Sequence, residues 1–238
     1  MTDLQLNRLL AMLPESVVQR LEHAATVVSA AAGDVLLDAG EPIEHVFFPL
    51  DAVVSLDQVI SEDVDEHARG PCVALVGLEG VVGIESFLGF NEAINRATVR
   101  VSGRLARFEV APVREEFSRT GALHRLVVGS AGALIGQTCA IGACERVHSV
   151  RQRVVRWLLM FADRAQGPEL PLTQELLSHL IGVRRASISA AAAELQAEDL
   201  IAYQRGSVIL SDRDRLEAGA CRCYREIKAR YTDYVDAA

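Results

Sequence analysis

From Leu126 to Cys144 the chain runs nineteen residues without a charge, LVVGSAGALIGQTCAIGAC. Such a segment must be covered by lipid, by the rest of the fold or by a second copy of itself. Ser130, Gln137, Thr138 and four glycines make it weakly apolar for a membrane span. A helix buried against its own copy suits the composition better, because Gly129, Gly132, Ala133, Gly136 and Ala140 let two backbones approach closely.

The flanks of this segment differ in periodicity. Upstream, after two short amphipathic helical stretches (LQLNRLLAML and PESVVQRLEHA), come short β-rich runs: ATVVSA, DVLLDA, HVFFPL, AVVSLDQVI, CVALVG and ATVRVSGRLARFEV. Turn signals at Ala32-Gly33-Asp34, Ala39 to Pro42, Leu50-Asp51 and Arg69-Gly70-Pro71 separate them, the succession expected of a small barrel or sandwich. The acidic insert SEDVDEHARG, 61–70, reads as a solvated hairpin tip. From Ala111 the pattern is helical, with a short helix in APVREEFSRTG and a long one from Leu123 to about Cys144. Ser149 with Gln152 forms a capping box, so another helix starts there, carries Val150, Val154, Leu158 and Phe161 on one face, and ends at Gly167-Pro168.

The charge is divided to match. The net −8 splits into −10 over residues 1–145 and +2 over 146–238, as expected when only one end faces a polyanion. At 238 residues with 50% hydrophobic composition, two domains are expected. Cys72, Cys139, Cys144, Cys221 and Cys223 form an odd set without disulfide-framework spacing, and no basic-then-apolar leader opens the chain, which points to a reducing cytoplasm.

The segment LPLTQELLSHLIGVRRASISAAAAEL carries the functional signal. Thr173 can cap a helix from about Gln174 to Leu180, Gly182 breaks it, and a second helix runs from near Arg184 to about Ala197. Leu177, Ile181, Val183, Ile188 and Leu195 are available for a shared core. This is the corner that a helix-turn-helix needs to project its second helix into a major groove. Downstream, LIAY and SVILS flank Gln204-Arg205-Gly206-Ser207 and read as a winged hairpin with Arg205 at its tip.

In this order of parts the chain resembles the Crp/Fnr family of bacterial transcription regulators over nearly its whole length. LPLTQELLSHLIGVRRASIS, AEDLIAYQRGSVIL and SVRQRVVRWLL carry the resemblance, with GDVLLDAGEPIEHVFFPLDAVVSL, EGVVGIESFLG and NRATVRV in the β-rich half. It implies an α+β chain with three parts: a cyclic-nucleotide-binding-like β-roll over 1–120, a dimerisation helix over 121–146 and a winged helix-turn-helix over 147–238. It further implies that Thr173 contacts a phosphate and that the start of the second helix reads bases. The family pattern there is Ser-Arg-Glu-Thr/Ser-Val-x-Arg. Here Arg184 to Ala190 match it only at Arg185, Ser187 and Ile188, while Ala186 replaces the base-reading Glu and Ala190 the second Arg. One well-placed Arg185 can still specify a guanine, while Ser149, Arg184, Ser187, Ser189 and Arg205 complete the DNA-facing set.

Cyclic-nucleotide-binding members supply Gly-Glu and, ten residues after that Glu, an Arg-Ser pair that holds the cyclic phosphate. Gly83 and Glu85 are kept here, but Asn95 and Arg96 stand where Arg-Ser would be. Asn95 lacks the charged fork, and a one-residue shift in an extended run points Arg96 to the opposite face. Cyclic AMP binding of the usual kind is therefore not expected, which leaves a different effector or none.

Iron-sulfur members carry an N-terminal cysteine cluster, whereas the first cysteine here is Cys72. Cys139, Cys144 and His148 share one side of the long helix and could form a thiol or metal site, but without a fourth ligand they read as small buried residues of the dimer helix. Cys221 and Cys223 would diverge on a helix. No metal or cofactor is expected. No HExxH, GxSxG, Walker-type loop or GxGxxG is present, so an enzyme is not expected. Phe47, Phe48 and Trp157 read as core.

The resulting expectation is a cytoplasmic homodimer that reads a pseudo-palindromic site in double-stranded DNA. RNA polymerase and an unidentified small effector are further partners, and no membrane is involved. The other class kept open is a ligand- or protein-binding sensor or scaffold that has lost specific DNA binding.

Overall fold

The computed structural model describes residues 3–59, 70–165, 167, 169–204 and 206–236, with side chains described through Thr232. The insert at 61–69, Pro168 and Arg205 lie outside the described residues.

A short 3-10 turn, Asp3–Leu6, precedes α1 (Arg8–Ala11) and α2 (Glu15–Glu22). Asn7 caps α1 by accepting from the N–H groups of Leu9 and Leu10, and its amide donates to the carbonyls of Pro49 and Gly80, so a wholly buried side chain ties the N-terminus to the roll.

Among the described residues, seven strands then build two antiparallel sheets. β1 (Ala25–Ala30), β7 (Gly103–Glu109) and β3 (His45–Pro49) form one in the order β1-β7-β3. β2 (Val35–Leu37), β6 (Arg96–Val101), β4 (Val53–Asp57) and β5 (Cys72–Val76) form the other in the order β2-β6-β4-β5. The run ATVRVSGRLARFEV, read as one stretch, is two strands in different sheets. The chain turns the corner at Ser102, where Gly103 lies so close to Asp51 and Ala52 that an added Cβ would stand 2.6 Å from the Ala52 nitrogen. All five residues of β4 are buried, which explains its nearly continuous apolar reading. Phe48 and Phe108 pack edge to face in the core between the sheets, their centroids 5.4 Å apart.

α3 (Val110–Ser118) leads to α4 (Ala122–Val147), which spans both hydrophobic clusters of the chain. Leu123, Leu126, Val127 and Ala131 pack on the β-roll, while Ala140, Ile141 and Cys144 pack with the C-terminal half. By length and composition α4 could cross a membrane. Its buried face is instead spent on β5, α3 and a helix that sequence reading did not resolve, α9 (Arg222–Asp236). Contacts between Gln137 and Tyr231 and between Cys144 and Cys221 show that α9 runs antiparallel to α4.

This divides the small residues expected on one dimer face. Ala133 and Ala140 are buried within the chain, and an added Cβ at Gly136 would meet Arg230 of α9 at 2.4 Å. The exposed seam runs instead through Val128, Gly132, Ile135, Cys139 and Gly142, in alternating steps of four and three.

The C-terminal half comprises α5 (Val150–Ala162), β8 (Glu169–Leu170), α6 (Gln174–Ile181), α7 (Arg185–Ala197), β9 (Ile201–Gln204), β10 (Ser207–Leu210) and α8 (Arg213–Ala218), followed by α9. Ser149 caps α5 with the expected box: its hydroxyl accepts from the Gln152 N–H, and its own N–H donates to the Gln152 side chain. α5 ends at Ala162, five residues before Gly167, because Asp163 already caps it by donating its N–H to Leu159 and Phe161.

Candidate nucleic-acid interface

α6 and α7 form the helix-turn-helix. Thr173 Oγ1 accepts from the Leu176 N–H at 3.0 Å and starts α6. Gly182, at φ +69°, stops it, and its N–H donates back to Ser178 and His179. A residue with a side chain would be strained at that φ. Leu177, Ile181, Ile188 and Leu195 are fully buried between the two helices and α5, and Val183 packs against them. Ala191 and Ala192 face inward, so the plain alanine run sets how closely α7 lies on its neighbours.

This packing leaves one end of α7 bare. Arg184, in the cap position, Arg185 and Ala186 are exposed, Ser187 is half-buried and Ala190 is exposed. Neither arginine forms an ion pair among the described residues, whereas Arg151 pairs with Glu198 at 2.7 Å and Glu194 at 3.6 Å. Ser189 is turned inward: its hydroxyl donates to Gln174 Oε1 at 2.6 Å and braces α7 on α6. Ser149 is occupied as a cap.

The wing is a three-stranded sheet in the order β8-β10-β9, and the third strand was not foreseen. Ser207 Oγ donates to Glu169 across it at 2.7 Å. Gly206, at φ +92°, stands at the hairpin tip, where an added Cβ would be 3.8 Å from the Thr173 methyl. The start of α6 and the wing tip therefore share one surface with the bare end of α7. Arg205, expected from the sequence at that tip, lies outside the described residues.

The sensor half has a cleft of about 240 Å³ between the roll and α4, lined by Leu56, Ile84, Leu88, Ile94, Leu134 and Ile135 together with Glu85 and Asn95. Gly83 adopts φ +85° at the start of its 3-10 turn. Glu85 accepts from the Ile94 N–H, and the Asn95 amide donates to Gln58 at 3.1 Å. Arg96 is absent from the lining and forks onto Asp38 at 2.8 and 3.0 Å. That guanidinium holds the Asp38 carboxyl below its usual range. Sequence reading missed the neighbouring buried pair: Arg100 donates to Asp57 at 2.6 Å and to Ser55 at 2.7 Å.

The cysteine reading needs correction. Cys139 is exposed and stands apart from Cys144 and His148, and Cys221 and Cys223 do not diverge. Cys221 precedes α9 rather than lying within it, so the two sulfurs converge on the end of α4.

A β-roll, a long connecting helix and a winged helix-turn-helix define the class: this is the fold of Crp/Fnr-type transcription regulators. Residues 152–218 match the model of the Crp-like helix-turn-helix domain. FixK2 from Bradyrhizobium japonicum superposes with a TM-score of 0.67 at 15% identity, over 83% of this chain and 98% of that one. A CRP/FNR-family transcriptional regulator from Thermus thermophilus gives 0.65 at 22% identity, over 81% and 97%. The c-di-GMP responsive global regulator CLP from Xanthomonas campestris gives 0.66 at 15% identity, over 84% and 100%. These structures are of regulators rather than enzymes, and at such identities they establish the fold. No curated protein sequence matches the chain.

Proposed function

We propose that the chain is a cytoplasmic, dimeric, sequence-specific DNA-binding transcription regulator that lays the N-terminal end of α7 into the major groove of each half-site. The observation that carries this reading is the bare end of α7: Arg184 and Arg185 are exposed and unpaired among the described residues, beside the capped start of α6 and the wing tip. Arginine suits bidentate contact with guanine O6 and N7, and the neighbouring helix N-terminus and wing suit phosphates. The exposed seam of α4 is the surface through which a second copy would be held, setting two α7 helices about one helical turn apart.

The cleft beside Asn95 is apolar and carries no arginine. It suits an effector with an apolar body better than a cyclic nucleotide phosphate.

Selecting bound sequences from random duplex DNA with the purified protein tests the function directly. The expected result is a pseudo-palindromic site with half-sites about 10 base pairs apart, bound with an affinity that falls steeply as salt is added. Recovery of no preferred sequence, with binding indifferent to salt, would favour the sensor or scaffold reading.

A further inference from the structure

We infer that Cys144, His148, Cys221 and Cys223 form a closed, four-coordinate zinc site that clamps the end of the long helix α4 to the start of α9. Their ligand atoms all lie within 4.8 Å of one another. Cys144 Sγ and Cys221 Sγ are 3.8 Å apart, and Cys223 Sγ lies 3.7 Å from His148 Nδ1. Zinc–sulfur bonds of about 2.3 Å in a tetrahedron place two sulfurs about 3.8 Å apart, so the spacing already matches a Cys₃His centre. The donor set is of the soft thiolate and imidazole kind that selects zinc over the hard cations.

The local structure builds this arrangement from both sides. Cys144 and His148 are one helical turn apart at the C-terminus of α4, where His148 leaves the helix with extended backbone angles. Cys221 sits just before α9, and its carbonyl accepts the Tyr224 N–H at 3.1 Å, which starts the helix with the Cys221 side chain beside the end of α4. One extra residue brings Cys223 round to His148.

A second, independent observation is the charge of Arg156. Its side chain is wholly buried, its Nε has no partner, and its best carboxylate contact is Glu145 at a long 3.5 Å. Met160 Sδ at 3.6 Å and the Trp157 ring at 4.9 Å also contact the guanidinium, but neither supplies the full negative charge that a buried cation favours. Glu145 stands next to Cys144 in α4 and is already paired more closely with Arg153, at 2.8 Å. Zinc with three thiolates and a neutral imidazole carries one net negative charge, and Arg156 is the counter-charge that such a centre needs.

The consequence lies at the hinge. His148 and Ser149 join α4 to α5, and the clamp spans the same point through residues 77 positions apart in sequence. With zinc bound, the winged domain is fixed to α4 and moves with it. Without zinc, this end of the attachment rests on side-chain packing and on the pairing of Glu145 with Arg153 and Arg156.

The test uses the full-length chain purified under reducing conditions and requires no DNA. Elemental analysis is expected to find one zinc per chain. After chelation, cobalt(II) is expected to restore the charge-transfer and d–d bands of a tetrahedral thiolate centre. Cys221→Ser and Cys223→Ser are expected to lose the metal, Cys139→Ser to keep it, and His148→Cys to retain it as a four-sulfur site. Reduced wild-type protein that carries only trace metal and gives no cobalt bands would overturn the inference, as would full zinc occupancy in Cys221→Ser. The cobalt titration of wild type decides the matter even if a serine variant fails to fold.

Discussion

Arg164 Nε donates to Glu79 Oε1 at 2.7 Å, and both side chains are more than nine-tenths removed from solvent although they come from opposite halves of the chain. The rest of the guanidinium is also used: Nη1 donates to the Met160 carbonyl and Nη2 to Gln137, and the group lies over the Tyr231 ring. Gln137 in turn exchanges hydrogen bonds with the Leu75 backbone and donates to Tyr231. One buried network thus joins the β-roll, α4, the end of α5 and α9.

Arg164→Met should therefore be severe, because it takes the Arg164 guanidinium away from the buried Glu79 carboxylate. Removing one partner of such a pair typically costs about 3–5 kcal/mol. Replacing both, as Glu79→Gln with Arg164→Met, should recover a large part of that loss. Urea denaturation of wild type, the single variant and the double variant checks it. A single-variant cost near that of a surface pair, below about 1 kcal/mol, would mean that the contact is hydrated in solution.

The same network marks the limit of what the sequence reveals. Strand runs, the capping box at Ser149 and the Gly182 break were legible because each is a local device whose residues are neighbours in the chain. The Glu79–Arg164 pair, the Arg100–Asp57 pair and the cysteine cluster were not, because their members lie 85, 43 and up to 79 positions apart. Gln137 shows the point well. In sequence it only weakens a hydrophobic run, whereas in the fold it is the residue on which four elements meet. The face of α4 was misassigned for a related reason: without α9 in view, nothing separates the glycine that meets Arg230 from those that meet solvent.

Arg185→Ala should relax sequence preference. Loss of one bidentate arginine–guanine contact is expected to lower affinity for the selected site by about 1–3 kcal/mol, with a smaller effect on random DNA. Arg184→Ala, if that side chain holds a phosphate, should weaken both alike and reduce the slope of affinity against salt by about one unit. Competition binding at two salt concentrations separates the outcomes. An Arg185→Ala protein with unchanged discrimination would remove that residue from base reading.

The sensor cleft leads to a negative expectation with a positive control. Asn95 is neutral and bonded to Gln58, and Arg96 is held by Asp38, so neither offers a free cation to a cyclic phosphate. Calorimetry with cyclic AMP should show no saturable heat with the wild-type chain, whereas Asn95→Arg places a guanidinium at the cleft and is the variant able to gain binding. Tight wild-type binding abolished by Asn95→Ala would reverse this reading of the sensor.

The exposed seam of α4 gives the sharpest test of dimerisation, because a bulky side chain can be added there without touching the chain's own interior. Nothing lies within 4 Å of a Cβ built on Gly132 or Gly142. Glycine inside a helix also costs about 1 kcal/mol relative to a good helix former, so Gly142→Leu should leave the isolated chain as stable as before or slightly more so. Between two copies packed through Val128, Gly132, Ile135, Cys139 and Gly142, the same leucine would separate backbones that the small residues bring together. The expected result, read by sedimentation equilibrium, is a dimer dissociation constant raised at least about tenfold, or about 1.4 kcal/mol. Gly136→Leu is the informative contrast: it meets the outer end of the exposed Arg230 side chain of the same chain, which can swing aside, and because it faces α9 rather than the seam it should leave dimerisation far less affected. A Gly142→Leu protein that dimerises as tightly as wild type would show that the two copies meet elsewhere.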